Sequence, residues 1–468
     1  MSRLIAISNR VSAGGGSHGG LAVALTAALN SYGGIWFGWS GEVIDSFSGQ
    51  VNLSRENGLT TATVDLEEQD VEEYYDGYAN RTLWPLLHYR VDLAEYERSF
   101  ADGYHRVNER LAQTVVPLIE PEDLVWIQDF HLIPLGSRLR QAGIENRIGF
   151  YLHTPWPPRR LLTTLPEATE LVENMFDYDV VGFQTREWLE TFCEYAVHEM
   201  GARIEDDVLH RAGRAVRLLV CPVGIDADGF AQAACGEAAQ AAMARVDASL
   251  VGRALIVGVD RLDYSKGLEE RFLGYERFLA SHQNAWNRVV LLQIAPPSRA
   301  GVASYQRIRA SLEQQAGRIN GAYADLDWVP IRYVNQGYGH DMLAGVYRAS
   351  RVCLVTPLRD GMNLVAKEYV AAQDPADPGV LILSRFAGAA EQMQGAILVN
   401  PYSAEEIADA LERALAMPLA ERQERWGTMM EQLREQNVFW WLETFHEALS
   451  AAPQRDEEPR HPDGIAAE

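Results

Sequence analysis

Short apolar runs closed by turn residues alternate with helical patterns along most of this chain, and that alternation limits the fold more than any other feature. RLIAIS (3–8), LVWIQ (124–128), IGFYLH (148–153), DVVGFQ (179–184) and VRLLVCPVG (216–224) read as strands. Helical patterns stand between them, at about 21–30, 105–119, 134–142 and 186–200. Strands alternating with helices indicate a parallel α/β sheet. An Ala-rich stretch without a strand run, 229–250, reads as a helix and a joint. A second series follows: ALIVGVD (254–260), RVVLLQIA (288–295), WVPIRYV (328–334), VCLVTPL (352–358), GVLILS (379–384) and AILVN (396–400). The chain therefore divides into two α/β halves, 1–235 and 236–436. The aromatic density of NVFWWLETFHEAL predicts a terminal helix, 437–451, packing back on the first half. The polar, Pro-containing tail 452–468 is expected to be disordered. Ligands of such sheets bind beyond the carboxyl ends of the strands, so the site is expected in the cleft between the halves.

Charge decides which ligands to consider. The net charge of −24 argues against nucleic acid or an anionic membrane as a partner. No apolar run is long enough for a membrane span. The N-terminus lacks the longer apolar stretch of an export leader, so a cytoplasmic protein is expected. An anionic substrate would need positive charge concentrated locally. Of 41 Lys and Arg residues only Lys266 and Lys367 are lysine. A lysine ammonium is a compact point charge where an arginine fork is wide and planar, and both lysines fall in segments that read as phosphate-binding. The four cysteines, Cys193, Cys221, Cys235 and Cys353, have neither disulfide-scaffold density nor zinc spacing.

The loops carry the chemistry. RLDYSKG follows a strand and presents Arg261 and Lys266 at its carboxyl end. Such a pair can stabilise the charge that develops on a departing diphosphate, at about 3–4 kcal/mol for one contact in the transition state. TPLRDGMNLVAKEY repeats the logic, with Asp360 and Gly361 in a turn before a helix whose first amides are free for phosphate or sugar; Glu368 could bind ribose. Arg10 and Asp129 each follow a strand directly, and Asp129 either accepts from sugar hydroxyls or caps the next helix. His153 ends a strand, and the prolines of the following Thr-Pro-Trp-Pro-Pro would hold it at the lip of the cleft. Gly14, Gly16 and Gly19 spell GxGxxG, but the loop is too long for a dinucleotide turn. It reads instead as a loop closing over substrate, with Gly19 and Gly20 at a helix start. Three DxD strings, Asp177/Asp179, Asp226/Asp228 and Asp325/Asp327, read as solvated turns rather than metal sites.

SNR, GGLAVAL, WFGWSG, EYYDGYANRTLWPLLHYR, WIQDFHL, RIGFYLHTPWP, DRLDYSKGL, QIAPPSR, GRINGAY and TPLRDGMNLVAKEYVAAQ together resemble the trehalose-6-phosphate synthase family, over residues 3 to about 401. The resemblance implies a GT-B fold, two Rossmann-like domains with parallel sheets facing a central cleft. It also implies no cofactor and no required metal. The implied reaction is retaining transfer of glucose from a nucleotide sugar, UDP-glucose foremost, to glucose 6-phosphate. Retention would come from front-face substitution, with the departing phosphate taking the acceptor's proton. On this resemblance the acceptor would meet Arg10, Trp39, Tyr75, Trp84, Asp129 and Arg299. The donor diphosphate would meet Gly19, Gly20, Arg261 and Lys266. Asp360, Gly361, Met362 and Asn363 would hold the donor glucose, with His153 near the reacting carbon. Tyr338 would flank the base, and Leu364, Val365, Ala366, Lys367 and Glu368 the ribose and the phosphate next to it. His153, Arg261, Lys266 and Asp360 are the catalytic candidates. Two other readings stay open: glycerol 3-phosphate as acceptor, and a non-catalytic sugar-phosphate sensor. The base of the donor (UDP, GDP or ADP) is open as well. A homo-oligomer, dimer or tetramer, is expected for an enzyme of this kind.

Overall fold

The computed structural model describes residues 3–11, 25, 26, 29, 33–56, 58–298 and 303–453. Among the described residues the chain builds a ten-stranded and a six-stranded sheet. The first contains β1 (Leu4–Arg10), β2 (Gly34–Ile44), β3 (Asn52–Glu56), β4 (Leu59–Glu67), β5 (Leu124–Gln128), β6 (Ile148–Tyr151), β7 (Val180–Phe183), β8 (Arg203–Glu205), β9 (Val208–Arg211) and β10 (Arg214–Val220). Their order is β3-β4-β2-β1-β5-β6-β7-β10-β9-β8. From β4 to β10 all neighbours are parallel. β3 at one edge and β9 with β8 at the other are antiparallel.

The second sheet contains β11 (Ala254–Val259), β12 (Val289–Ile294), β13 (Ile331–Val334), β14 (Val352–Val355), β15 (Val380–Ser384) and β16 (Ile397–Val399). It is wholly parallel, in the order β13-β12-β11-β14-β15-β16. Counted within its own half, that is the 3-2-1-4-5-6 order of a Rossmann sheet, and the parallel part of the first sheet begins in the same way. The expected two-sheet α/β architecture is the observed one.

Burial explains why the central strands were legible. Every residue of β5 and of β15 is buried, as strands covered by helices on both faces must be. The edges β3 (NLSRE) and β8 (RIE) are exposed throughout, carry no apolar run, and leave no such signal. The sequence also gives no warning of the wide-turned π-helix Val71–Leu83, which runs into the short helix Trp84–Leu87. π-Helical turns are rare and gather at functional sites.

The terminal helix, Val438–Ser450, is capped by the Asn437 side chain, which accepts from the Phe439 and Trp440 amides. Phe445 stacks on Trp126 of β5 at 4.5 Å, and Trp441 lies 4.8 Å from the same ring. The helix thus covers the first sheet with aromatic area. Residues 454–468, including nearly all of the expected tail, lie outside the described residues.

Candidate active site

In each sheet the strand order reverses beside its first strand, between β1 and β5 and between β11 and β14. The connections leaving such neighbouring strands run in opposite directions and open a crevice at their carboxyl ends. Arg10 ends β1, Asp129 follows β5, and the loops with Lys266 and Asp360 follow β11 and β14. The candidates chosen from local pattern thus occupy the switch points of the two sheets. The sheets meet there: a Cβ on Gly361 would lie 1.9 Å from the His153 carbonyl oxygen. Only glycine lets the loop after β14 approach the end of β6 so closely.

The second-half loops are tied to each other. Lys266 Nζ donates to Asp360 Oδ2 at 2.6 Å, with the two side chains only 10% and 13% exposed. Asn363 Nδ2 donates to the same oxygen at 3.0 Å. Burial opposes ionisation of Asp360, but the Lys266 charge and the two hydrogen bonds outweigh it and hold the carboxyl below its usual range. Beneath Lys266 lies a fully buried ion pair, Arg271 Nη1 to Asp260 Oδ2 at 2.6 Å. Arg271 also donates to Gln293 Oε1 and Thr356 Oγ1, bracing β11, β12 and β14 together. Gly267 closes the loop at φ +60°, with a Cβ position only 2.1 Å from the Thr356 carbonyl oxygen. Asn363 takes φ +74° and caps the helix Leu364–Ala372 by accepting from the Ala366 amide. Met362 is buried, and Leu364 and Val365 are partly exposed at the helix start. Tyr338 lines a cavity of about 250 Å³ with Leu292, Ile294 and Met342. Burial pushes the Glu368 carboxyl, beside the Tyr347 hydroxyl, up to about 7.

The first-half candidates form a connected wall. The Arg10 guanidinium lies 5.5 Å from the centre of the Trp39 ring, and Trp39 meets Tyr75 edge-on at 5.6 Å. Tyr75 stacks on His131, which adjoins Phe130, and Phe130 packs against Trp84 at 5.8 Å. Trp84 crosses to the other half: its indole Nε1 donates to Asp263 Oδ1 at 3.4 Å, and Arg261 lies 5.9 Å from its ring. Arg10 and Arg261 are both exposed, and among the described residues neither forms an ion pair. In so acidic a chain, with most cleft-distant arginines matched to carboxylates, two exposed guanidiniums facing aromatic rings suit an anionic ligand. Asp129 does not cap the following turn. Its Oδ1 accepts from the His153 amide at 3.2 Å.

His153 sits in an amide network that sequence reading missed. Gln184 Oε1 accepts from the Tyr151 hydroxyl and the Val223 amide, both at 2.9 Å. The Gln184 nitrogen therefore faces His153 Nδ1, at 3.5 Å, and His153 Nε2 carries the proton donated to Gln128 Oε1 at 2.9 Å. Burial pushes the imidazole down to about 3, so it is neutral. Gln128 ends β5 within WIQDFHL and Gln184 directly follows β7, both far from His153 in sequence, and neither stands out as a candidate. His88 was missed too; it lies against Trp84 at 4.0 Å, and burial lowers it to about 4.

Two expectations need correction. Lys367 does not face the cleft. It is fully buried, and its Nζ donates to the Val223 carbonyl and to Gln392 Oε1, each at 2.6 Å. Its charge serves a junction between the halves, so of the two lysines only Lys266 points to the candidate site. Asp177 and Asp179 are not solvated. Both are buried; Asp179 accepts from Arg140 and from the Ile148 amide at 2.7 Å, and Asp177 pairs with Arg214. Asp226/Asp228 and Asp325/Asp327 are exposed as read. Gly19, Gly20 and Arg299 lie outside the described residues.

Comparison with known proteins places this geometry. The model of glycosyltransferase family 20 matches residues 6–451. A trehalose-6-phosphate synthase of Sinorhizobium fredii is 50% identical over 463 residues, covering 97% of this chain and 100% of the relative. A crystal structure of an α,α-trehalose-phosphate synthase (UDP-forming) from Burkholderia vietnamiensis superposes with a TM-score of 0.95 at 48% identity, covering 97% of each chain. A Burkholderia xenovorans α,α-trehalose-phosphate synthase (UDP-forming), solved in complex with glucose 6-phosphate, gives a TM-score of 0.93 at 49% identity, covering 96% of this chain and 100% of that one. With the family model spanning nearly its whole length and relatives aligned end to end, this chain belongs to glycosyltransferase family 20.

Proposed function

We propose that the protein transfers glucose from UDP-glucose to glucose 6-phosphate with retention, giving α,α-trehalose 6-phosphate and UDP. The observation that carries the reading is the junction of the two switch points: Lys266 paired with Asp360 on one side, and Arg10 with Trp39 and Tyr75 on the other. The two Burkholderia structures named above are of UDP-forming synthases, and one was solved with glucose 6-phosphate.

In this reading the first half, to about residue 235, binds the acceptor, and 236–436 binds the nucleotide sugar. Arg10 takes the acceptor phosphate, while Trp39, Tyr75, Trp84 and Asp129 hold its hexose. Arg261 and Lys266 neutralise the donor diphosphate as its bond to the anomeric carbon breaks. Asp360 is held by Lys266 and Asn363, which leaves it to orient the donor glucose with Gly361–Asn363 rather than to attack it. The acceptor hydroxyl bonds to the anomeric carbon on the face the phosphate leaves, and its proton passes to the departing phosphate oxygen. His153 contacts the glucose by exchanging the long Gln184 contact for a sugar hydroxyl. Glu368 accepts from the ribose hydroxyls, and Tyr338 flanks the uracil. No helix among the described residues is long and apolar enough to cross a membrane. Nucleotide sugars and sugar phosphates are cytoplasmic substrates, and a symmetric oligomer is the common state of such enzymes; the reading includes both.

The test supplies purified protein with UDP-glucose and glucose 6-phosphate. Release of UDP with a non-reducing disaccharide phosphate is expected. Absence of both products, with GDP- and ADP-glucose no better, overturns the assignment. Glycerol 3-phosphate as competitor separates the alternative acceptor, which should turn over poorly against a hexose-sized aromatic wall.

A further inference from the structure

The residue before Asp360 makes a contact that the transfer reaction as described above does not use. Arg359 leaves the second half and places its guanidinium between aromatic rings. Its Cζ is 4.2 Å from the centre of the Tyr89 ring, 4.7 Å from Phe386 and 5.8 Å from Trp188. Tyr89 and Trp188 belong to the first half and Phe386 to the second. The side chain is only 17% exposed; among the described residues its sole ion-pair partner is Glu187 at 3.6 Å, and its Nε has no hydrogen-bond partner. The cation is therefore held chiefly by ring faces in a largely desolvated box, where cation–π attraction is strongest.

The box is built to be rigid. Tyr89 is held at φ +63°, an uncommon conformation for a bulky residue. Its hydroxyl donates to the Trp156 carbonyl at 3.0 Å, and its ring meets Trp188 edge-on. On the other side, Phe386 supplies its ring to Arg359 and its carbonyl to the amide of Asp360, at 3.2 Å. The Gly388 amide then donates to the Asp360 carbonyl at 3.1 Å. Seating Arg359 and orienting Asp360 thus use the same short segment. The first-half side is equally economical: Trp84, in the acceptor wall, stands five residues before Tyr89 on one compact turn.

We propose that Arg359 is a positioning residue for glucosyl transfer: seated in the first-half rings, it holds the two halves closed and sets the loop that presents Asp360 and Gly361. It touches neither substrate, and it acts through the closeness of donor loop and acceptor wall. A static surface arginine would instead be exposed, with no rings from the opposite half around its guanidinium. The inference rests on the transferase reading for its kinetic consequences, and on geometry alone for the closure.

The test compares wild type with Arg359→Met, Arg359→Lys and Tyr89→Leu in the full chain. Arg359→Met should lower kcat about 30-fold, the loss of one desolvated cation–π contact at the moment of transfer. UDP affinity by calorimetry should stay within about twofold, because most of the residues expected to meet UDP belong to the second half. Arg359→Lys should recover part of the loss, since it keeps the cation but not the planar stack. Tyr89→Leu attacks the same contact from the other half, and the double variant should be no worse than the poorer single one. Small-angle scattering of the ligand-free proteins, a readout independent of turnover, should show Arg359→Met more extended than wild type. If Arg359→Met is unstable, Tyr89→Leu carries the same comparison. The inference is overturned if kcat stays within about threefold of wild type with unchanged scattering, or if UDP affinity falls as far as kcat. An inactive wild type would sink the transferase reading, and the scattering comparison would still decide closure.

Discussion

The two faces of the cleft are finished to different degrees. On the second-half face, Lys266, Asp360 and Asn363 satisfy one another, and Arg271 with Asp260 braces the loop from beneath. On the first-half face, Arg10 is exposed against Trp39 and no carboxylate among the described residues answers it. One face holds Lys266 and Asp360 in a preorganised, mutually neutral pair beside the exposed Arg261. The other holds a cation ready for a partner. The contrast suits a transferase in which the donor side must stabilise charge without reorganising, while the acceptor side only has to bind.

Removing the charge from the finished face should have the largest effect. Lys266→Met strands Asp360 as a buried, unpaired carboxylate. Turnover should fall by about 10²–10³, and stability by about 3–5 kcal/mol, measured by denaturant unfolding. A fall in activity with no loss of stability would mean that Asp360 finds another partner. The reciprocal change, Arg10→Ala, should leave stability and UDP affinity unchanged and raise the KM for glucose 6-phosphate about 10- to 100-fold. An equal loss with UDP would erase the distinction between the faces.

A smaller effect concerns Glu368, whose carboxyl burial raises to about 7. Its ionised form is the better acceptor for ribose hydroxyls, and that form is lost as pH falls through about 7. The KM for UDP-glucose should therefore rise by about three- to tenfold from about pH 8 to about pH 6. Lys367, lowered to about 7 by burial, gains charge over the same range. Glu368→Gln isolates the carboxylate: it should flatten the profile, and a profile that survives belongs to another group. The smallest effect should come from Asp228→Ala, which removes an exposed ion pair with Arg434. It should change stability by under about 1 kcal/mol and leave activity untouched, whereas a metal-holding role for that DxD string would abolish turnover.

The site was legible wherever a residue's position along its own strand or loop decided its place. Arg10, Asp129, Arg261, Lys266 and Asp360 all follow parallel strands, and the carboxyl end of a parallel strand points at the crevice whichever helix covers it. Gln128 ends a strand and Gln184 directly follows one, yet nothing local separates a glutamine that orients His153 from one that merely terminates a strand. The DxD string at Asp177 misled because its exposure depended on Arg140 and Arg214, neither of them its sequence neighbour.

What the sequence alone determined is the alternation that makes two parallel sheets, and with it the loops where catalytic candidates must stand. These follow from local periodicity and from the rule that strand ends face the cleft. What only the tertiary structure decided is where adjacent side chains point once helices dock. Lys367 and Glu368 are neighbours, but successive helical residues are ~100° apart around the axis. One reaches the Val223 carbonyl, 144 residues away, while the other lies by Tyr347. Arg359 beside Asp360 is the same case: two of its three ring partners, Tyr89 and Trp188, come from the opposite half of the chain, and no periodicity within a loop encodes which rings will be there to receive it.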